Sequence, residues 1–350
     1  MALSSETVFI LDLLAYLAPY LVVALSLNLE YGFGGIPNFG KAFAVMGGAF
    51  TVGYLPGRLA VTMLGLGNGF GEDYIKRNAM YISQVNQVLA SNPMLATSIL
   101  LLSLVAAMAV GAVLGAVLYY PLAKLREEFL AMVLLAIGEL LVLFGRNYPP
   151  LVGGTLGVSV PDVFRWAGEN RYLVTTAFMS AVALLVLAFV EALTRSPLGR
   201  LLRAVRDDES AAYAYGKDVA KVRLEAFIVS SSIGALAGAL YAFYTTCVVS
   251  SPFARVVWTF WPWVMVILGG TANNMGVLLG VFTFVSVKRL IIRYKYVLEP
   301  VLPFSVIWLD MLLLGVALVL ILLYRPEGLL PERPIKTVGV KRTVKRLGVR

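Results

Sequence analysis

The chain has 350 residues, of which 59% are hydrophobic and only 14% are charged, and its formal net charge is +9. Soluble domains are about one quarter charged, so this composition excludes an ordinary soluble protein and indicates a polytopic membrane protein. A single cysteine excludes a disulfide framework, and the lack of histidine removes the commonest general base and metal ligand. Lysine and arginine in cytoplasmic loops explain the positive charge more simply than binding to nucleic acid does, so we expect no nucleic-acid partner.

Long continuous apolar runs predict an all-α protein with roughly eight to ten transmembrane helices. In chain order the predicted spans are Phe9–Leu29, Ala42–Leu66, Leu95–Tyr119, Phe129–Phe144, Tyr172–Leu193, Leu224–Val248, two helices within Trp258–Ile292, and Phe304–Tyr324. The run Trp258–Ile292 is too long for one span, and its interruption at Gly269–Gly276 predicts a tight turn between two helices. The tryptophans Trp258, Trp261 and Trp263 at its start are typical of an interfacial aromatic belt.

Small residues mark positions where helices are expected to approach closely or to break. Gly111 and Gly115, and the four-residue series Ser230, Gly234, Gly238 and Ala242, predict closely packed helix faces. The segment Tyr31–Lys41 is rich in glycine and contains a proline, so it is not a regular helix throughout. It is either a plain turn, which the pattern favours, or a re-entrant segment that lines a cavity.

Two further features lie in and beside the spans of the first half. Glu139 lies within an apolar run, where a carboxylate either faces the bundle interior or a water-filled path, or pairs with a donor near an interface. Gly67–Pro93 and Arg146–Arg171 are predicted polar loops, and the second contains Gly153–Gly157. Backbone N–H groups of such a glycine cluster either face a ligand or belong to an ordinary loop.

The segment Ser196–Val222 is the longest charge-dense stretch in the middle of the chain. It begins with arginines, continues through the acidic cluster Asp207–Glu209 and the small residues Ala211 and Ala212, and reaches Gly216, where a C-cap glycine is expected. This order predicts a short surface helix that ends at Gly216 and that a partner protein can approach closely. The alternative is an ordinary cytoplasmic loop.

Orientation follows from the distribution of lysine and arginine. The arginines of Arg195–Arg206 and the basic tail 325–350 are both expected in the cytoplasm, which places the N-terminus outside. The chain therefore divides into a transmembrane domain, residues 1–324, with a cytoplasmic segment at 196–222, and a tail. We expect the tail to be disordered and solvated near anionic lipid headgroups.

The sequence contains no recognisable motif for nucleotide binding, metal binding or nucleophilic catalysis. It contains no Walker A sequence, no cluster of cysteine and histidine, and no Ser-His-Asp set, so we expect neither a cofactor nor an enzymatic activity. Transport or channel function remains.

Several segments together resemble one transporter family. The segments are LNLEYGFGGIPNFGKAFAVMGGAF (Leu27–Phe50), LREEFLAMVLLAIGELLVLF (Leu125–Phe144), GGTLG (Gly153–Gly157), SPLGRLLRAVRDDESAAYAYG (Ser196–Gly216), LGGTANNMGVLLG (Leu268–Gly280) and YRPEGLLP (Tyr324–Pro331). In this order they resemble the inner-membrane permease subunits of branched-chain amino acid ABC importers, and the LivM-like subunit more than its LivH-like partner.

The resemblance implies an ABC importer permease fold and a division of labour. The chain would form half of a translocation path, a second LivH-like permease the other half, two cytoplasmic ATPase subunits would drive transport, and an extracytoplasmic binding protein would deliver substrate. The expected path residues are Asn28, Asn38, Phe39, Gly40, Glu139, Gly153, Gly154 and Thr155. The expected ATPase-coupling residues are Arg206, Asp207, Asp208, Glu209, Ala211, Ala212 and Gly216. The rival hypothesis is a self-sufficient secondary carrier or channel for a small polar solute such as urea or an amide, with Glu139 and Glu30 as ion sites.

Overall fold

The computed structural model describes residues 5–332, apart from residues 72, 123–124, 126, 296–298 and 300–307. Within these residues the protein is almost wholly helical, as the continuous apolar runs predicted. The α-helices, numbered α1 to α14 in chain order, are Ser5–Leu27, Ala42–Met63, Asp73–Lys76, Asn78–Ser91, Pro93–Leu122, Glu127–Asn147, Pro149–Val152, Arg171–Arg195, Pro197–Asp207, Glu209–Ala214, Val219–Thr245, Trp261–Gly269, Asn274–Arg293 and Leu309–Tyr324. A π-helical turn, Asn28–Phe33, continues α1, and a second, Val256–Phe260, precedes α12.

The nine predicted spans coincide with α1, α2, α5, α6, α8, α11, α12, α13 and α14, although the start of the last predicted span lies outside the described residues. Among the described residues, six helices are long and apolar enough to cross a membrane, namely α1 with its π-helical turn, α5, α6, α8, α11 and α13. The other three are shorter or less apolar: α12 with its turn is the short apolar helix Val256–Gly269, α14 has 16 residues, and α2 contains Arg58. The arrangement is that of a polytopic membrane protein.

The predicted tight turn within Trp258–Ile292 is confirmed. Helix α12 ends at Gly269, and α13 begins at Asn274, so the two helices form an antiparallel hairpin. Gly270 has a φ of +113°, a conformation that side chains other than glycine rarely adopt. The Asn273 side chain accepts hydrogen bonds from the backbone N–H groups of Met275 and Gly276 and so caps α13.

Helices α2, α5 and α11 pack together at the centre of the bundle. A Cβ atom at Gly48 of α2 would overlap the carbonyl oxygen of Ala235 in α11, and one at Gly238 would overlap that of Val45. A Cβ atom at Gly111 of α5 would overlap the Cβ atom of Ala235 and the carbonyl oxygen of Ser231 in α11. The predicted small-residue faces therefore bring these backbones into direct contact, as they do in other membrane helix pairs.

The three tryptophans of the predicted aromatic belt lie in the core instead. Trp258 is 1% exposed, and Trp261 and Trp263 are each 6% exposed. The indole N–H of Trp263 donates a hydrogen bond to the backbone carbonyl of Asn38 at 3.0 Å. The belt prediction is wrong because these rings pack against α1 and the segment that follows it, where the indole N–H finds an acceptor inside the protein.

The two predicted polar loops contain regular structure. Helices α3 and α4 occupy most of the first loop, and α7 lies in the second. The second loop also contributes β1, Val158–Ser159, which pairs antiparallel with β2, Cys247–Val248, in the register Val158↔Val248. This two-stranded ribbon is a small departure from a purely α-helical chain.

The bundle has two ends, named here after a residue at each. The Phe33 end contains the π-helical turn of α1, helices α9 and α10, and the α12–α13 turn; the Arg58 end contains α3, α4 and α7. Residues 325–332 form a C-terminal strap at the Phe33 end. The N–H groups of Leu329 and Leu330 donate to the carbonyls of Leu268 and Gly269, each at 2.9 Å. The expectation of a disordered tail is therefore wrong for residues 325–332, and residues 333–350 lie outside the described part.

Candidate functional site: a buried polar segment and the helices beneath it

The segment between α1 and α2 is buried almost throughout, although the sequence favoured a plain turn. Glu30 and Lys41 are both fully buried, and their side chains form an ion pair with Nζ and Oε1 3.1 Å apart. Asn38 donates its side-chain amide N–H to the other carboxylate oxygen of Glu30 at 2.9 Å. The Lys41 ammonium also donates to the hydroxyl of Ser230 on α11, and that hydroxyl donates to the carbonyl of Ser26.

This network explains how irregular backbone is tolerated inside a membrane protein. An isolated charge in hydrocarbon is costly, whereas paired charges with their remaining hydrogen bonds satisfied are tolerated in the bundle interior. Non-helical backbone at that depth requires protein partners for its polar groups. The side chains of Glu30, Asn38 and Lys41 join to one another and to α11, so they hold the segment in one conformation.

Asn28 begins a second polar network at the Phe33 end. Its side-chain oxygen accepts a hydrogen bond from the backbone N–H of Ala272 at 2.9 Å, and its amide N–H donates to Asn274 at 3.0 Å. The Asn274 amide in turn donates to Glu191 at 2.7 Å and to the Thr194 hydroxyl at 3.1 Å. Asn28 thus joins α1 to the α12–α13 turn and, through Asn274, to α8.

Phe39 and Gly40 pack against α12 and α6 respectively. The Phe39 ring stacks on Trp263, with ring centroids 4.5 Å apart, and borders an apolar cavity of about 500 Å³ that Val256 and Phe260 also line. A Cβ atom at Gly40 would overlap the carbonyl of Leu134 on α6, so this position requires a glycine for close helix approach. Of the predicted path residues, Asn28, Asn38, Phe39 and Gly40 therefore lie in one region.

Glu139 is not enclosed by this chain. Its side chain is 42% exposed on α6, and its carboxylate lies 3.7 Å from the guanidinium of Arg255. The expectation that Glu139 faces the interior of its own bundle is therefore wrong, whereas pairing with a neighbouring donor is what the alternative predicted. Arg255 directly precedes Val256, so the ion pair lies near the cavity beside Phe39.

Gly153, Gly154 and Thr155 belong to the opposite end of the molecule. Gly153 and Gly154 have φ of +72° and +62° and form a compact turn after α7. That turn adjoins Pro150, whose carbonyl accepts a hydrogen bond from Arg58. Arg58 is 16 residues along α2 from Ala42, a distance of about 24 Å on a helix. The structure therefore does not bring the glycine turn together with the other predicted path residues.

The charge-dense segment forms two helices where one was predicted. Helix α9 ends at Asp207, and Asp208 is extended with a φ of −157°, so the chain breaks before α10. The Asp208 carboxylate accepts a hydrogen bond from the N–H of Ala211 at 2.9 Å and caps α10. Gly216 has a φ of +73° just after α10, which confirms the predicted end.

Several of the predicted ATPase-coupling residues make their contacts with other residues of the same chain. Arg206 donates to the carbonyl of Gly32 and forms an ion pair with Glu332 of the C-terminal strap at 3.0 Å. Glu209 pairs with Arg223 at 3.0 Å. Ala212 is buried against Leu202, Val205 and other apolar residues. The expectation that a partner packs against Ala212 is wrong, because its own chain already covers this side chain.

The sequence analysis did not single out two exposed aromatic residues close to Ala212. Tyr213 and Tyr215 are 75% and 85% exposed, and they lie on the same short segment as the exposed Ala211. Tyrosine is a frequent anchor in protein interfaces, which was the signal available in the sequence. The pairing of Lys41 with Glu30 also escaped it, because charge spacing across an irregular segment does not predict contact.

Comparison with known proteins decides the family. Residues 9–322 match the family model described as the branched-chain amino acid transport system permease component. The chain belongs to this family. It is 42% identical over 335 residues, 95% of the chain and 96% of the relative, to a probable branched-chain amino acid transport permease protein LivM of Methanocaldococcus jannaschii. It is 28% identical to the high-affinity branched-chain amino acid transport system permease proteins LivM of Salmonella typhimurium and Escherichia coli.

These bacterial matches cover 63% and 62% of the chain, and 55% and 54% of the relatives. No solved structure matches the chain. The family and the long apolar helices make this a multi-pass membrane protein of a transport system. The buried segment Asn28–Lys41 and the paired helices α9 and α10 are thus features of a transport permease.

Proposed function

We propose that the chain is the permease subunit of an ABC importer for branched-chain amino acids. In this proposal it forms half of the path, with a second LivH-like permease, two cytoplasmic ATPase subunits and an extracytoplasmic binding protein. The names of its relatives support the substrate class. The arginines of α9 support a cytoplasmic Phe33 end, with the N-terminus outside. In this orientation the basic residues of 333–350 belong to the cytoplasmic side.

The proposed path lies along the exposed face beside Phe39. This face combines the apolar cavity at Phe39 with the half-exposed ion pair between Glu139 and Arg255. A half-exposed ion pair on an otherwise apolar helix is costly against lipid, so it favours a protein or water-filled neighbour. The second permease is the proposed neighbour. In this proposal Asn28, Asn38 and Gly40 fix the conformation of the buried segment that supports this face. Gly153, Gly154 and Thr155 line the path only at the Arg58 end.

The contact between α9 and the buried segment supports the proposal that α9 couples the ATPase subunits to the transport path. Arg206 of α9 donates to the carbonyl of Gly32, and Leu202 and Val205 pack in one cluster with Leu29 and Phe33. A force on α9 and α10 is therefore transmitted to the π-helical turn of α1 and onwards to the Glu30–Lys41 pair. Closure of the ATPase dimer would move this unit as one body.

The docking surface in this proposal is the exposed side of α9 and α10. Tyr213 and Tyr215 are its anchors, Ala211 lies beside them, and Asp207 is the acid at its edge. Arg206, Asp208, Glu209, Ala212 and Gly216 shape this surface from within the chain. This assignment differs from the sequence-based one because Ala212 is buried, and because Arg206 and Glu209 pair with residues outside α9 and α10. Asp207 pairs with Arg206 but remains exposed at the edge of the surface.

The experiment is co-purification of the ATPase subunits with the permease carrying Tyr213→Ala and Tyr215→Ala. Truncating an anchor at the centre of an interface typically costs 2 kcal/mol or more, so binding is expected to weaken at least roughly 30-fold. ATP-dependent leucine uptake in reconstituted vesicles should fall with it. The matched control is Tyr294→Ala, an exposed tyrosine after α13.

The control should leave both co-purification and uptake unchanged. If the double variant folds, retains the ATPase subunits and transports leucine at the wild-type rate, α10 is not the docking element.

A further inference from the structure

A second cavity, of about 640 Å³, lies at the Arg58 end of the bundle. Aromatic rings of Tyr54, Phe70 and Tyr148 line it together with apolar groups of α3 and α7. Its two charged lining residues are Arg58 and Lys76, and no carboxylate lines it among the described residues. Its volume falls within the roughly 300–1,000 Å³ typical of small-molecule sites.

Arg58 is a buried cation without an acidic partner in the described part of the chain. It is 4% exposed, and its guanidinium lies 4.4 Å from the ring centre of Tyr54 and 4.6 Å from that of Tyr74. Its Nη groups donate to the carbonyls of Gly69 at 3.1 Å and Pro150 at 2.7 Å, while its Nε–H has no acceptor there. Buried charges are usually paired, so an unpaired one favours an anion nearby.

The neighbouring groups that the structure describes do not neutralise this charge. Burial raises the pKa of the Tyr74 phenol to about 12, so Tyr74 remains neutral at physiological pH. Lys76 is exposed on α3 and adds a second positive charge to the cavity. Asp73, on the same short helix, is exposed and is not among the lining residues. The cavity therefore combines positive potential with an aromatic and aliphatic wall.

We propose that this cavity binds small carboxylates with an aliphatic body, and that it receives the transported amino acid on the extracytoplasmic side. The Lys76 ammonium binds the carboxylate directly, and the charge of Arg58 behind the wall adds attraction. Phe70 and Tyr148 contact the aliphatic part. The side assignment rests on the orientation given above under the proposed function, whereas binding itself does not depend on it.

Because none of the described residues that line the cavity is a carboxylate, the chemical prediction is specific. The amino group of the ligand gains no acidic partner, so leucine and 4-methylpentanoate should bind with similar affinity. 3-Methylbutylamine, which keeps the aliphatic body and the amino group but lacks the carboxylate, should not bind. These three probes are measured on the purified full-length chain in lipid nanodiscs by calorimetry or by saturation-transfer NMR.

Lys76→Gln is the decisive variant, because Arg58 also joins two loops and its replacement endangers folding. Loss of one charge-assisted hydrogen bond should weaken leucine binding about tenfold. The matched control is Arg77→Gln, the next residue, which is exposed but does not line the cavity. Equal leucine affinities of the two variants, or binding of 3-methylbutylamine as tight as that of leucine, would overturn the proposal.

Two further outcomes separate this site from its alternatives. If Lys76→Gln leaves leucine binding unchanged but weakens capture of the extracytoplasmic binding protein, the cavity is a protein-docking surface and the proposal fails. In a Cys247→Ser background, leucine should slow the reaction of Pro149→Cys, at an exposed lining position that keeps Lys76, with an impermeant maleimide added from outside. Protection that is seen only with reagent added from the cytoplasmic side would refute the orientation and leave a carboxylate site in place.

Discussion

The Lys41–Glu30 ion pair holds the irregular segment between α1 and α2 in place. Both side chains are fully buried, and their hydrogen bonds reach Asn38 and Ser230. The sequence predicted that this segment is not a regular helix, but it could not predict the burial of Lys41. The partner oxygens come from the far side of the irregular segment and from α11, and a local pattern carries no information about such contacts.

Lys41→Met should lower the free energy of unfolding by about 3–5 kcal/mol, because it leaves the Glu30 carboxylate buried and unpaired. The double variant Glu30→Gln/Lys41→Met should recover most of this loss, since no charge then remains. Denaturant unfolding of the purified protein in micelles measures both. Lys221→Met, at an exposed lysine of α11, is the control and should change little. Equal losses in the single and double variants would show that the pair does not hold the segment.

At the scale of elements, hydropathy located all nine helices that correspond to predicted spans, because continuous apolar runs have few alternatives in a bilayer. The tight turn within Gly269–Gly276 and the small-residue faces of α5 and α11 were also predictable from the sequence. The break at Asp208 was not, since its carboxylate caps the next helix and the acidic cluster alone does not reveal which residue does so. The burial of the three tryptophans depended on tertiary contacts.

The contact between α2 and α11 gives a prediction with an internal control. Gly48→Ala should destabilise the protein, because its Cβ would overlap the carbonyl of Ala235 and force the helices apart. Gly315→Ala in α14 should stabilise it by up to about 1 kcal/mol, because nothing lies near that position and alanine favours helix. Thermal unfolding of the two purified variants measures the difference. Equal shifts in melting temperature would contradict the close approach of α2 and α11.

At the scale of the whole molecule, the two ends of the bundle are expected on opposite sides of the membrane. In a Cys247→Ser background, Asn68→Cys at the Arg58 end should react with an impermeant maleimide added to intact cells. Tyr213→Cys should react only after the membrane is opened, since the arginine-rich α9 is expected in the cytoplasm. Labelling of position 213 in intact cells would reverse the assignment.

The C-terminal strap also sets the order of events during synthesis. Arg206 and its partner Glu332 are 126 residues apart in the chain, and the last helix lies between them. At 5–20 residues per second a ribosome needs about 6–25 s to pass from one to the other. Throughout that interval α9 lacks the carboxylate that fixes two of its arginines. In a nascent or truncated chain, Arg203 and Arg206 of α9 therefore lack their ion pairs with Glu332. These ion pairs form only after the chain has been translated as far as Glu332.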